Sequence, residues 1–153
     1  MDMTGEERIP ASRDIVWAAL NNPHVLRKCI PGCASMEKKS PTEMMATVKF
    51  KIGPVSAAFK GNVTLTNLNP PESYTITTEG AGGVAGFAKG SSDVQLREEG
   101  GETILTYTVK AQIGGKLAML GSRLIDSSLK KVAAQFFEKL NKVIAKKAEP
   151  SEA

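Results

Sequence analysis

The sequence predicts an α+β domain in which a curved antiparallel sheet wraps around one long C-terminal helix, with two short helices after the first strand. Three observations predict it. Between residues 34 and 113 apolar and polar side chains alternate with period two, in runs separated by Gly- and Pro-rich turns. From residue 117 onward apolar residues recur at helical spacing instead. The order strand, two short helices, several strands and a long helix belongs to an α+β fold, not to repeated βαβ units.

An edge strand is expected at 3–9, stopped by Pro10. Ser12 suits the N-cap of a helix reaching Asn21, with Ile15, Val16, Ala19 and Leu20 as its buried face around Trp17. Pro23 opens a second short helix over 24–30, ended by Pro31-Gly32. Met44, Ala46, Val48, Phe50 and Ile52 alternate with Thr47, Lys49 and Lys51. Gly53-Pro54 then turns the chain into Val55, Ala57, Phe59, Gly61, Val63 and Leu65, which makes a hairpin. Asn69-Pro70-Pro71-Glu72 is the next turn, before Tyr74, Ile76 and Thr78, and 80–86 reads as a flexible glycine loop. Ala88, Gly90, Ser92, Val94 and Leu96 form a further strand. Gly100-Gly101 turns it into Thr103, Leu105, Tyr107, Val109, Ala111 and Ile113, completing an antiparallel meander. Beyond Gly114-Gly115, the residues Leu117, Leu120, Leu124, Leu129, Val132, Phe136, Leu140 and Val143 read as the apolar stripe of a single helix on the order of 45 Å long. Residues 1–147 are read as one domain and 148–153 as a disordered tail.

With 153 residues and 41% hydrophobic content the chain is long enough to bury a core. No apolar stretch has the length of a membrane span and the N-terminus is polar and acidic, so the expected compartment is the cytoplasm. The net charge of +4 is unevenly placed. Residues 1–115 are neutral overall, and 116–153 carry eight Lys/Arg against four Asp/Glu. A basic helix serves nucleic acid, an anionic membrane or an acidic partner, or is simply a solvated face with a favourable charge near its C-terminus. Nucleic acid is disfavoured because no exposed aromatic platform accompanies the lysines.

The expected inner face is small: Ala46, Ala57, Gly61, Ala88, Gly90, Ser92 and Ala111, in a chain only 5% aromatic. Either the helix sinks onto these residues and no cavity exists, or a hollow remains, occupied by solvent or an apolar ligand. A dry void of roughly 300 Å³ would cost about 7 kcal/mol, comparable to a domain's whole stability.

Catalytic chemistry is sparsely represented. His24 is the only histidine, and a Ser-His-acid or Cys-His arrangement would have to recruit it. Cys29 and Cys33 stand at i, i+4 with no second pair to complete a metal site. The glycines at 80, 82, 83, 86 and 90 do not spell a dinucleotide-binding turn, and there is no phosphate-binding loop. No carboxylate falls on the expected inner face. The chain reads as a binding protein, not an enzyme, with no metal site.

Several strings then stand out together: Cys29-Ile30-Pro31-Gly32-Cys33, Lys51-Ile52-Gly53-Pro54 with Phe59-Lys60-Gly61, Gly86-Phe87-Ala88-Lys89-Gly90, and the run from Gly114 to Ile125. In this order and spacing the sequence resembles the CoxG-like family of carbon monoxide dehydrogenase accessory proteins, within the START/Bet v 1-like (SRPBCC) superfamily, over about residues 9–140. The resemblance implies a helix-grip fold, seven antiparallel strands wrapped round the C-terminal helix with a hydrophobic cavity between them. It implies an accessory role beside a molybdenum hydroxylase such as CO dehydrogenase, linking that enzyme to the membrane respiratory chain. It implies no intrinsic cofactor, a bound menaquinone or other quinone or lipid, and peripheral contact with the inner face of the membrane. The alternative is a module that docks on a protein or membrane through its basic helix without a specific ligand.

On this reading Phe50, Phe59, Tyr74, Tyr107 and Val109 line the cavity from the sheet, and Leu117, Leu120 and Leu124 from the helix. Phe87 gates the mouth or packs on a neighbouring helix. The Tyr107 hydroxyl meets a quinone carbonyl, or else backbone or water. Lys116 and Arg123 are the residues expected to contact a partner or lipid headgroup, the alternative for Arg123 being a plain surface position.

Overall fold

The computed structural model describes residues 2–148. Seven strands form one antiparallel sheet: β1 (Asp2–Ile9), β2 (Cys33–Ser40), β3 (Glu43–Ile52), β4 (Val55–Asn69), β5 (Ser73–Ala81), β6 (Phe87–Glu99) and β7 (Glu102–Gly114). Their order is β1-β7-β6-β5-β4-β3-β2, a meander whose far edge is completed by the N-terminal strand. Between β1 and β2 lie α1 (Arg13–Leu20) and α2 (Pro23–Cys29); α3 (Ser122–Ala148) closes the chain.

The turns follow from residues that tolerate positive φ. Ile52 pairs with Val55 across Gly53-Pro54, where Gly53 has φ +56°, and Glu99 pairs with Glu102 across Gly100-Gly101, at φ +60° and +84°. Asn22 caps α2 by accepting a hydrogen bond from the His24 backbone N–H (2.9 Å), with Pro23 in the first helical turn. The chain passes from β1 to α1 under a buried tie, the Thr103 hydroxyl donating to the Ala11 carbonyl at 2.7 Å.

The structure departs from the sequence expectations in several places. Residues 33–40 form a strand that the alternation pattern does not mark: β2 is an edge strand, half polar, held by β3 alone. Residues 80 and 81 belong to β5, and the glycine loop shrinks to a 3₁₀ turn at Gly83–Ala85. Ile15 is exposed, the buried face of α1 being Val16, Ala19 and Leu20.

The largest change concerns the last helix. Leu117 and Leu120 lie in a separate 3₁₀ turn, Gly115–Leu120, and Gly121 at φ +88° breaks the path before α3 begins. α3 is therefore about 40 Å long. Its fully buried residues are Ile125, Phe137, Leu140 and Ile144; of the expected stripe Leu140 is among them, Phe136 and Val143 are half-buried against the core, and Leu124 is exposed. Of the expected tail, Ala148 closes α3 and 149–153 lie outside the described residues.

The core packs at two ends. Ile9, Val16, Cys29, Leu105, Leu140 and Ile144, all at most 1% exposed, join β1, β7, α1, α2 and the second half of α3. At the other end Phe59, Ala85 and Leu117 form a smaller cluster, with Phe50, Ile52 and Leu120 against it.

Candidate functional site

Between these two clusters the sheet floor is stripped of side chains. One register row crosses six strands as Met36–Ala46–Gly61–Gly80–Ala88–Ile113, and the next crosses five as Met44–Val63–Thr78–Gly90–Ala111. Four consecutive small residues in the first row leave space that α3 does not fill. Val132 faces that space and is 39% exposed although it belongs to the apolar stripe.

The result is a three-lobed hollow. The deep lobe, about 360 Å³, runs under α1, α2 and the middle of α3, and is lined by Met44, Leu65, Tyr74, Tyr107, Val109 and Phe136 among others. Its lining side chains carry no charge, and their only polar groups are the hydroxyls of Thr78, Ser92, Tyr74 and Tyr107. A second lobe of about 270 Å³ lies over the small-residue row. The third, about 590 Å³, is the most enclosed of the three and runs between the end of β3 and the first half of α3, with Lys49, Lys51, Lys131 and Gln135 in its lining. The deep lobe opens to the surface and does not stand dry. The hollow therefore holds solvent or a ligand.

Ile30 lines all three lobes. It caps α2 in extended conformation, and the turn behind it is pressed onto β3: the Lys49 N–H donates to the Gly32 carbonyl at 2.8 Å. A Cβ at Gly32, at φ +78°, would collide with the Lys49 carbonyl oxygen. The Cys-Ile-Pro-Gly-Cys string is thus a device that seats Ile30 over the hollow. Cys29 and Cys33 are free thiols whose pKa values are pushed up by burial.

The structure gathers Phe50, Phe59, Tyr74, Tyr107, Val109 and Leu117 around the hollow. Phe50 stacks on Phe59, centroids 4.7 Å apart. Tyr107 stacks on Phe137 at 5.5 Å, and its ring and hydroxyl lie over Gly5 at the β1 edge. Tyr74 is 3% exposed and meets Trp17 edge-on at 4.9 Å. Among the described residues neither phenol has a hydrogen-bond partner. Desolvation raises the pKa of both, far more for Tyr74, with Glu7 adding to the rise at Tyr107. Both hydroxyls stay protonated donors at neutral pH.

Other expected positions fall elsewhere. Phe87 is on the outer face, in a groove with Met45, Lys60 and Lys89, because odd-numbered residues of β6 point away from α3. Its ring covers Gly114 and carries the Lys89 ammonium at 5.8 Å, so it gates nothing. Leu120 and Leu124 sit over Gly53 at the rim, not in the lining, Leu124 being 36% exposed. Lys116 and Arg123 are exposed on either side of Met119. Glu79 enters the lining of the second lobe, its carbonyl oxygen beside Gly61, while its carboxylate pairs with Lys89 at 3.6 Å. His24 is exposed. Sequence reasoning missed Ile30, Met36, Ile76 and Ala133. For Ile30 the signal was present, since a Pro-Gly stop fixes the side chain just before it.

Among the described residues no cluster of three metal-ligating side chains occurs, and no helix is long and apolar enough to cross a membrane.

No protein of curated function matches this sequence. Among solved structures, a conserved protein from Geobacillus kaustophilus is 31% identical with a TM-score of 0.90, covering 95% of this chain and 96% of that one. TTHA0849 from Thermus thermophilus is 12% identical at TM-score 0.74, covering 97% and 100%. Ara h 8.0201 is 14% identical at TM-score 0.66, covering 95% and 98%. The last two likenesses concern the fold alone, the Bet v 1-like helix-grip arrangement of sheet and C-terminal helix. A family model for CoxG, a carbon monoxide dehydrogenase subunit, matches residues 5–145, and the chain belongs to that family.

Proposed function

We propose that this protein is a non-catalytic carrier that holds a hydrophobic small molecule, a quinone such as menaquinone or a related lipid, between α3 and the sheet. As an accessory to a molybdenum hydroxylase of the CO dehydrogenase kind, it would serve the link between that enzyme and the membrane respiratory chain, working at the inner face of the membrane. One observation carries the reading: an uncharged lobe of about 360 Å³ that shares its Ile30 wall with a larger one of about 590 Å³. Burying an isoprenoid tail there stabilises the complex by about 0.8 kcal/mol per CH₂. Family membership supports the accessory role and the partner.

In this reading Tyr74, not Tyr107, is the donor to a quinone carbonyl. Its hydroxyl is the more deeply buried, and it lines the deep lobe without a protein partner among the described residues. A carbonyl on the ligand would accept its proton.

The test is direct. Trp17 is the single tryptophan and packs on Tyr74, so quinone entry into the deep lobe should quench its fluorescence. Organic extracts of protein purified from its own host should contain a quinone or lipid at near-stoichiometric yield. Empty protein that neither quenches with menaquinone nor yields a lipid would end the carrier reading. Docking through the exposed lysines of α3 (Lys130, Lys131, Lys139, Lys142, Lys146) would then be the function to pursue.

A further inference from the structure

The three lobes of the hollow overlap unequally. Among the described residues Ile30 alone is common to all three linings. The deep and third lobes share only Ile30, Pro31, Leu129 and Val132 among the described residues. Two of these come from the turn after α2, and two from α3, three residues apart on one face of the helix. The passage between these lobes is therefore a neck, with the turn on one side and the helix on the other.

Ile30 is held in place in that neck. Its N–H donates to the Leu26 carbonyl at 2.9 Å, and its own carbonyl accepts from the Cys33 N–H at 3.1 Å. Pro31 fixes the φ that follows, and the Gly32 carbonyl ties the turn to β3. A β-branched side chain has little χ1 freedom, so isoleucine on a clamped backbone is a stiff partition where methionine would yield. Across the neck Leu129 is half-buried and Val132 is 39% exposed, so neither is locked into a packed core.

The two lobes differ in what they offer. In the deep lobe the hydroxyls of Tyr74, Thr78 and Ser92 have no hydrogen-bond partner among the described residues, and Tyr74 is only 3% exposed. The third lobe is walled by Phe50, Ile52, Ile113, Leu117 and Ile125, and its lysines are all exposed. One lobe suits oxygen atoms and the other suits hydrocarbon.

We propose that Ile30 selects the occupant by cross-section: the ligand is an oxygen-bearing ring in the deep lobe with one slim, flexible chain threaded past Ile30 into the third lobe, and rigid fused-ring lipids of the sterol kind are refused. This rests on the carrier reading above and names its ligand class. A single chain passes a neck that a fused ring system blocks, and it gains apolar burial on the far side.

Menadione (a ring without a chain), a short-chain menaquinone (the same ring with one) and cholestenone (a rigid fused-ring ketone) test the selection. The quinones are read by quenching of Trp17, and cholestenone by displacement of the menaquinone. Wild type should bind the menaquinone about tenfold or more tighter than either menadione or cholestenone. Ile30→Ala widens the neck and should bring cholestenone to within about threefold of the menaquinone. Ser128→Phe adds bulk beyond the neck, since of the three lobes Ser128 lines only the third. It should cut the menaquinone-to-menadione ratio about fivefold or more. Ser128 lies outside both packed clusters, so this variant folds even where Ile30→Ala does not. Wild type that binds cholestenone as tightly as the menaquinone overturns the selection, and so does either folded variant whose ratio stays at the wild-type value. Menaquinone bound with no advantage over menadione removes the neck and leaves the carrier reading standing. Protein that binds none of the probes removes the carrier reading itself.

Discussion

Gly61 on β4 lies directly opposite Gly80 on β5, at the centre of the row that floors the hollow. The two glycines differ in what a side chain would meet. A Cβ at Gly61 would come within 2.7 Å of the Glu79 carbonyl oxygen, whereas one at Gly80 would meet nothing closer than the Lys60 carbonyl at 3.6 Å. Gly61 is fixed by backbone approach, and Gly80 is left small with space above it.

Substitution should therefore separate fold from function. Gly61→Ala is expected to destabilise by about 1–3 kcal/mol, since backbone must shift. Gly80→Val is expected to fold with a near-normal melting temperature yet lose quinone quenching of Trp17, because its side chain occupies the second lobe. Calorimetry and fluorescence titration on both proteins check this.

Tyr74→Phe should weaken a carbonyl-bearing ligand by about 1 kcal/mol, roughly fivefold, and leave a pure hydrocarbon ligand unaffected. The buried phenol also fixes an alkaline limit. Its folded pKa lies above the unfolded value of about 10, so stability is intact below that pH and falls as pH rises above it. Urea midpoints measured on both sides of pH 10 should show that fall in wild type and a smaller one in Tyr74→Phe.

The two halves of α3 should respond differently to truncation. Leu140 is fully buried among α1, α2 and the sheet, so Leu140→Ala should destabilise by about 2–5 kcal/mol. Val132 borders the hollow, and Val132→Ala should change stability by less than about 1 kcal/mol while altering ligand affinity. Equal losses at the two sites in chemical denaturation would contradict a hollow under the first half of α3.

Thr103→Val removes the hydroxyl that donates to the Ala11 carbonyl at the entry to α1. The orphaned buried carbonyl should lower stability by about 1–3 kcal/mol, read as a drop of several degrees in the melting temperature.

Much of this arrangement was legible residue by residue. Alternation from Met44 to Leu65 and from Thr103 to Ile113 marks strands because a sheet with one buried face sorts side chains by parity. The paired glycines at 100 and 101 mark a hairpin because two successive positive φ angles admit little else. β2 was illegible because an edge strand with three charged residues and one partner keeps no clean alternation. Phe87 was misplaced because it was read with the glycine-flanked loop before the strand, whereas it is the first residue of β6 and its odd position points away from α3.

Residue pattern and local backbone freedom were enough to set the α+β class, the small inner face and the order of the elements apart from β2 and the two 3₁₀ turns. Three-dimensional packing was needed for which residues of α3 are fully buried, the break at Gly121, and whether small residues meant close layers or a hollow. Those outcomes depend on where two packed clusters at opposite ends hold the helix above the sheet, a distance that no local interaction fixes.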